Sequence, residues 1–147
     1  MSDNKILKNG KKVVVAIAGV QFAIDDNEAI QVVSEGICNK IGDKTYIRYH
    51  EKKEDGESAR CMLKLSDGML EIVKKGSYAS TLIFKENETT KTIYSTPYGR
   101  MTVAVKTTEL RVLETDNIID ITVRYALFIN EGFVSDCDVR IKIKSSQ

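Results

Sequence analysis

The sequence predicts an all-β protein in which about eight to ten antiparallel strands close into a single barrel. Three observations predict this fold class. Apolar residues alternate with polar ones at a period of two along most of the chain, and no stretch keeps them at helical spacing for long. Clusters of glycine, asparagine and aspartate separate these runs at the short intervals of a meander. Two predicted strands are long enough to bend around a barrel, and closure removes exposed strand edges.

The last two predicted strands show the alternation most clearly. Every second residue from Ile119 to Ile129 is apolar or aromatic, and most residues between them are polar. The closing segment has cysteine or an apolar residue at every second position from Cys137 to Ile143, with charged residues between them. Asn130-Glu131-Gly132 separates the two runs as a hairpin signal. Each strand is therefore expected to bury one face. Further turn signals are Gly42-Asp43, Asp55-Gly56, Ser66-Asp67-Gly68, Asn87-Glu88 and Asp116-Asn117.

The strands predicted from Lys11 to Ile24 and from Gly99 to Val112 are the long ones. In the second, the apolar residues change phase after Thr107, and a β-bulge near that residue would explain the change. This strand follows Thr96-Pro97-Tyr98-Gly99, which holds the only proline of the chain. Because proline has no backbone donor for a ladder, we expect a turn there.

Composition limits the class of protein. With 147 residues, of which 42% are hydrophobic, the chain suits one domain, and we assign residues 1–10 to a short polar tail and 11–147 to the barrel. The net charge is +1 and both signs are interspersed, so no nucleic-acid surface is expected. The polar N-terminus is unlike a secretory signal, and the apolar run from Val13 to Ala18 is too short to span a membrane. We expect a cytoplasmic protein.

The sequence contains no recognised catalytic, metal or cofactor motif. The three cysteines, Cys38, Cys61 and Cys137, are odd in number and form no Cys-x-x-Cys pair, which argues against a disulfide framework and a structural zinc site. Cys61 and Cys137 alternate with apolar residues, as small core residues do. We therefore expect no metal and no cofactor, and we favour a protein that is not an enzyme.

The most informative polar residues lie in the strand around His50, the only histidine. Strand parity places Ile47, Tyr49 and Glu51 on one face and His50 on the other. The apolar residue marks the inward face, so His50 is expected to be solvated. An inward carboxylate needs a partner, and Lys74, which shares a strand face with apolar residues, is the candidate cation. The alternative, which we rate somewhat ahead, is an ion pair at the barrel rim with a purely structural role.

Four short motifs, in this order and spacing, resemble the YwiB-like family, whose members are small bacterial proteins of unknown function. The motifs are Tyr46–Glu51 (YIRYHE), Ser66–Gly76 (SDGMLEIVKKG), Thr96–Gly99 (TPYG) and Val123–Ile129 (VRYALFI). The resemblance extends from about Val13 to Lys144. It implies a closed antiparallel barrel of the lipocalin-like, or calycin-like, kind. It implies no activity.

The resemblance also implies roles for three positions. The family's inward-facing Tyr-x-Glu corresponds to Tyr49 and Glu51, and a family arginine corresponds to Lys74. The chain departs from the family at this last position, because lysine cannot reproduce the two-pronged contact of arginine with a carboxylate.

Three functional hypotheses follow. The first is a binding barrel that holds a small ligand, with Tyr94 and Tyr98 at the rim. The expected ligand-binding residues are Tyr49, Glu51, Lys74, Phe84, Tyr125 and Leu127. The second is a solid barrel that acts through its outer surface as a homodimer, because the strand from Val13 to Ile24 is apolar on both faces and needs cover on both. The third is an enzyme that uses Glu51 and Lys74 on a small acidic or phosphorylated substrate.

Overall fold

The structure is a computed structural model that describes residues 10–19, 31–52, 58–76 and 79–146, and these residues form ten strands. None of them lies in a helix long and apolar enough to cross a membrane. The strands are β1 (Lys11–Ala18), β2 (Gln31–Ile41), β3 (Lys44–Lys52), β4 (Ser58–Ser66), β5 (Met69–Lys75), β6 (Ser80–Lys85), β7 (Thr89–Thr96), β8 (Gly99–Glu114), β9 (Ile118–Ile129) and β10 (Gly132–Ser145).

All ten strands belong to one antiparallel sheet, in the order β6-β5-β4-β3-β2-β1-β10-β9-β8-β7. The first and last strands of this order, β6 and β7, follow each other in the chain. The turn between them is held to β8, because Asn87 N donates to Thr107 O (2.8 Å) and Thr107 N donates to Glu88 O (3.1 Å). The hydroxyl of Thr90 on β7 also donates to the carbonyl of Ile83 on β6. The sheet therefore curves into a nearly closed barrel, as predicted.

The inward rows of the strands fill one continuous apolar core. Along β9 the residues from Ile119 to Leu127 are buried at every second position, and Ile129 at the strand end is half-buried. Along β10 the same holds from Cys137 to Ile143. Cys61 is buried as well, so the assignment of Cys61 and Cys137 to the core is confirmed. The parity read from the sequence thus identified the buried face of both closing strands.

Strand β8 bends at a bulge, as the phase shift predicted. Thr107 pairs with Tyr125 and Glu109 pairs with Arg124, so Thr108 is the extra residue. The strand has 16 residues and passes the predicted end at Val112 by two. A second bulge lies in β10, where the register shifts between Phe133 and Ser135. No phase change in the sequence indicated this second bulge.

Strand β1 is shorter in the described residues than the predicted Lys11–Ile24. It ends at Ala18, and Gly19 makes a bend with a φ of +85°. A Cβ on Gly19 would lie 2.1 Å from the carbonyl oxygen of Asp138, so glycine is required there. Residues 20–24 lie outside the described part of the chain. One face of β1 is buried and the other, which includes Val14 and Ala16, is half-buried.

The hairpin between β9 and β10 lies where the sequence predicts it. The turn residues are Asn130 and Glu131, with φ values of 49° and 71°, whereas Gly132 already belongs to β10. Two positive φ values are the signature of a type I′ turn, whose twist matches that of the strands. The turns at Gly42-Asp43, Asp67-Gly68 and Pro97-Tyr98 are also where the sequence predicted them. The signal at Asp55-Gly56 lies outside the described residues.

Replacing Glu131 by glycine is expected to stabilise the fold. A glutamate in the left-handed region is strained, and glycine relieves the strain, so Glu131→Gly should raise the free energy of unfolding by up to about 1 kcal/mol. Chemical denaturation monitored by circular dichroism measures the change. Glu131→Ala retains the strained φ and should give no gain. A lower denaturation midpoint for Glu131→Gly would contradict the assigned turn geometry.

Candidate functional site

The candidate residues gather at one end of the barrel. Because neighbouring strands are antiparallel, the last residues of β1, β3, β5, β7 and β9 meet at the same end. We call it the proline end, since it carries Glu51 at the end of β3, Lys74 at the end of β5 and the Pro97-Tyr98 turn after β7. The inward rows of β3 and β5 become charged there, whereas they are apolar at mid-barrel.

Glu51 and Lys74 form an ion pair across β4, as parity predicted. The Lys74 Nζ lies 3.3 Å from Oε2 and 3.5 Å from Oε1 of Glu51. Glu51 pairs in register with Ala59, and Lys74 with Cys61, so the lysine side chain reaches diagonally past the small Ala59. The side chains are 19% and 30% exposed, respectively, so solvent reaches both charges. A lysine ammonium is a point charge with three donors, and it keeps donor capacity for another partner.

Tyr49 and Cys61 lie directly beneath this ion pair. They pair in register between β3 and β4, and each is 3% exposed. Burial raises the pKa of the Tyr49 phenol, and Cys61 and Glu51 add to the shift. Burial, followed by Glu51, raises the pKa of the Cys61 thiol, while Lys74 opposes the shift. Cys61 is therefore held as a neutral thiol, which is a poor nucleophile.

The hydroxyl of Tyr49 is the exceptional polar atom of the site. It is buried, it interacts with the Cys61 thiol, and among the described residues it has no nitrogen or oxygen hydrogen-bond partner. The neighbouring Gly36 on β2 explains how the backbone accommodates the tyrosine. A Cβ on Gly36 would lie 2.7 Å from Arg48 O and 3.2 Å from the Cβ of Tyr49, so a larger residue would displace β3. The fold thus holds a phenol in place beneath two charges.

Deeper in the barrel, Phe84, Tyr125 and Leu127 are core residues. Their exposed fractions are 1%, 3% and 1%, and the rings of Phe84 and Tyr125 lie 4.8 Å apart at 55°. Burial raises the pKa of Tyr125, with Cys137 as a further cause. These side chains pack against one another at mid-barrel. Of the six expected ligand-binding residues, Glu51 and Lys74 are the ones that solvent reaches, and a role of any of the six in binding stays a prediction.

The two expected rim residues lie beside a groove at the same end. Tyr94 is half-buried against the core, and Tyr98 is 99% exposed in the turn. The groove has a volume of about 500 Å³. It is lined by Tyr94, Pro97, Tyr98, Gly99, Arg100, Met101 and Asn130. Neither Glu51 nor Lys74 lines it. The proline end therefore has two separate candidate sites, the ion pair and the groove.

Two further observations concern metal and histidine chemistry. His50 is exposed on the outer face, as parity predicted, and so lies apart from Glu51 and Tyr49. Within residues 10–19, 31–52, 58–76 and 79–146, no group of three or more His, Cys, Asp or Glu is arranged to hold a metal ion. Sequence reasoning placed Cys61 in the core but did not place it beside the ion pair. Its register opposite Tyr49 was the missing information, and this register depends on the connection between β3 and β4.

Comparison with known proteins identifies the family. Residues 15–141 match the family described as domain of unknown function (DUF1934). The chain belongs to the DUF1934 family. The crystal structure of the ywiB protein from Bacillus subtilis is similar to this DUF1934 barrel, with a TM-score of 0.79 over 98% of each chain and 16% sequence identity. The resemblance noted in the sequence is thereby confirmed, and at this identity it establishes the fold alone. No curated protein matches the sequence.

Alkaline titration should reveal the sealed tyrosines of this DUF1934 protein. Because the pKa of Tyr49 and of Tyr125 is raised in the folded state, the fold favours their protonated forms. The resulting stability is fully present below the unfolded pKa of about 10 and is lost as the pH rises beyond it. Ultraviolet absorbance should show Tyr49 and Tyr125 ionising only as the barrel unfolds.

Matched variants identify which tyrosine is responsible for each late ionisation step. Tyr49→Phe and Tyr125→Phe should each remove one late-ionising tyrosine and weaken the fall of stability above about pH 10. Tyr98→Phe removes an exposed ring hydroxyl and should leave both late steps in place. Ionisation of all tyrosines before any change in the far-ultraviolet circular dichroism would show that the interior is open to solvent.

Proposed function

We propose that this DUF1934 protein binds a small polar ligand at the proline end, between the Glu51–Lys74 ion pair and the Tyr49 hydroxyl. The observation that carries the proposal is the buried Tyr49 hydroxyl, which interacts with the weakly polar Cys61 thiol but has no nitrogen or oxygen partner among the described residues. A thiol is a weak hydrogen-bond partner, and a buried polar group without a strong partner is destabilising by about 1–3 kcal/mol, so a ligand that supplied one would be favoured there.

The ion pair supports the same location. Both charges are partly accessible, so a ligand can reach them from solvent, and contact with the buried Tyr49 hydroxyl beneath them requires the ion pair to open. Close spacing of opposite charges suits a ligand with a charged group and a neighbouring polar atom, because Lys74 has spare donors and Glu51 has spare lone pairs. Phe84 and Tyr125 pack at mid-barrel, and this limits the ligand to a molecule small enough to stay near the mouth.

The direct test is capture of a ligand by the native protein. The protein is dialysed against a small-molecule extract of its natural source, and native mass spectrometry measures what is retained. The double variant Glu51→Gln/Lys74→Met removes both charges and leaves neither one buried without its partner. We expect it to lose the captured ligand by about tenfold or more, since a hydrogen bond to a charged group contributes about 1.5–3 kcal/mol.

Two further variants make the result specific. Tyr49→Phe removes only the hydroxyl, so it should weaken capture while keeping or raising stability at neutral pH. Lys40→Met breaks the exposed Lys40–Glu114 ion pair at the opposite end and should leave capture unchanged. If the wild-type protein retains no molecule beyond what the double variant retains, the proposal is wrong. An enzymatic role of Glu51 and Lys74 would additionally require chemical change of the retained molecule.

A second candidate function is homodimer formation through the outer face of β2. Three apolar residues of that face, Val33, Ile37 and Ile41, are 61%, 37% and 50% exposed. Val33 is paired in register with Ala16 on the half-buried face of β1, so the apolar surface continues onto the neighbouring strand. Exposed apolar surface of this kind is typical of interfaces between protein chains.

The dimer candidate predicts a concentration-dependent mass. Sedimentation equilibrium should give a dimer for the wild-type protein and a monomer for Val33→Glu/Ile37→Lys, because charges in an apolar interface are costly to desolvate. Ile93→Lys changes a residue of similar exposure on β7 and should leave the dimer intact. A wild-type monomer throughout the measured concentration range contradicts this candidate and leaves the ligand proposal unaffected.

A further inference from the structure

The groove between the Pro97-Tyr98 turn and the Asn130-Glu131 turn has the size of a ligand site. Its volume of about 500 Å³ lies within the range of about 300–1,000 Å³ that small-molecule pockets occupy. It is set apart from the mouth that holds Glu51 and Lys74, since neither residue lines it. Its walls come from β7, β8 and the two turns that follow β7 and β9.

Backbone geometry builds both walls of this groove. On one side, Pro97 fixes the turn, and Gly99 has a φ of +125°, a conformation that favours glycine. A Cβ on Gly99 would meet no atom within 4 Å, so the glycine leaves open space along the groove. On the other side, Asn130 is fixed to β8 twice. Its backbone N–H donates to Thr102 O (2.8 Å), and its side-chain Oδ1 accepts from Thr102 N (3.0 Å).

The lining combines aromatic surface with one cation. Tyr94 and Tyr98 supply rings, and Pro97 and Met101 add apolar surface. Arg100 is the only charged residue in the lining, is exposed, and forms no ion pair with a described residue. A guanidinium binds a carboxylate or a phosphate through two parallel hydrogen bonds, and tyrosine rings stack on planar ring systems.

We propose that this groove is a second binding site, for a small molecule in which a planar aromatic ring carries a carboxylate or a phosphate. The ring packs against the tyrosines and Met101, and the anion pairs with Arg100. The charge of the lining favours an anion, because the groove has a cation and no acidic residue. The inference does not depend on the proposed function, since it concerns other residues and another ligand chemistry.

The test uses four probes that separate the ring from the charge. Adenosine monophosphate carries a ring and a phosphate, adenosine only the ring, ribose 5-phosphate only the phosphate, and indole-3-acetate a ring with a carboxylate. Nuclear magnetic resonance titration at millimolar probe concentrations should show saturable binding of at least one probe that carries both parts, with shifts at the Met101 methyl group. Adenosine and ribose 5-phosphate should bind at least tenfold more weakly. Comparing adenosine monophosphate with indole-3-acetate decides between phosphate and carboxylate.

Three variants locate the site. Arg100→Gln should weaken binding about tenfold or more, and Tyr98→Ala should also weaken it. Arg140→Gln removes an exposed arginine from the outer face of β10 and should have no effect. Glu51→Gln/Lys74→Met should bind the probes as the wild-type protein does, which separates this inference from the ligand proposal. The inference is overturned if neither two-part probe binds, or if Arg100→Gln and Arg140→Gln bind equally well.

Discussion

The ladder between β1 and β10 is the interaction on which the rest of the structure depends. Every other ladder among the described strands joins neighbours in the chain, so β1–β6 and β7–β10 would be two separate meanders without it. The ladder runs from Val13 opposite Ser145 to Ala18 opposite Arg140, and it brings Val15 against Ile143 inside the core. It joins residues more than one hundred positions apart. Such a contact forms only after a large loss of chain entropy, which strand-rich folds compensate by apolar burial.

Closure of the barrel also determines where inward-facing charged side chains can lie. An inward row at mid-barrel is surrounded by apolar side chains, so a charge there would be desolvated without compensation. At the ends of the strands, the side chains of the same inward row lie close to solvent. Glu51 and Lys74 take these positions, and the ion pair they form is half-buried for that reason. The position along the strand, more than the residue type alone, makes the pair accessible while Tyr49, two residues earlier, is sealed.

The sequence predicted well which face of a strand each side chain occupies. It predicted poorly how tightly that side chain is packed inside the barrel. Alternation assigned the buried faces of β9 and β10, and the phase change after Thr107 predicted the bulge, because both leave a mark in the order of apolar residues. The bulge between Phe133 and Ser135 leaves no such mark. Parity placed Phe84 and Tyr125 inward, yet it could not tell a cavity from a packed core, since packing depends on the opposite wall of the barrel.

Local conformation set a further limit on prediction. The hairpin signal Asn130-Glu131-Gly132 predicted where the chain turns, whereas the strand register decides that Asn130 and Glu131 form the turn and that Gly132 belongs to β10. The groove could not be predicted from the sequence for a related reason. Its walls come from two turns that are 33 residues apart in the chain (Pro97 and Asn130), and only the barrel brings them together.

The contact between β6 and β7 is the line along which the barrel wall can open. Along this line the described residues form no ladder, and the strands are connected by the Thr90 hydroxyl and the turn at Asn87. Separating them leaves the β1–β10 ladder intact, so the wall can part here at a lower free energy than global unfolding. Opening of the wall along this line therefore breaks no strand ladder. Lys74 lies on β5, one strand from β6, whereas Glu51 lies on β3, three strands from β6, so Lys74 is the charge of the pair nearer to this line.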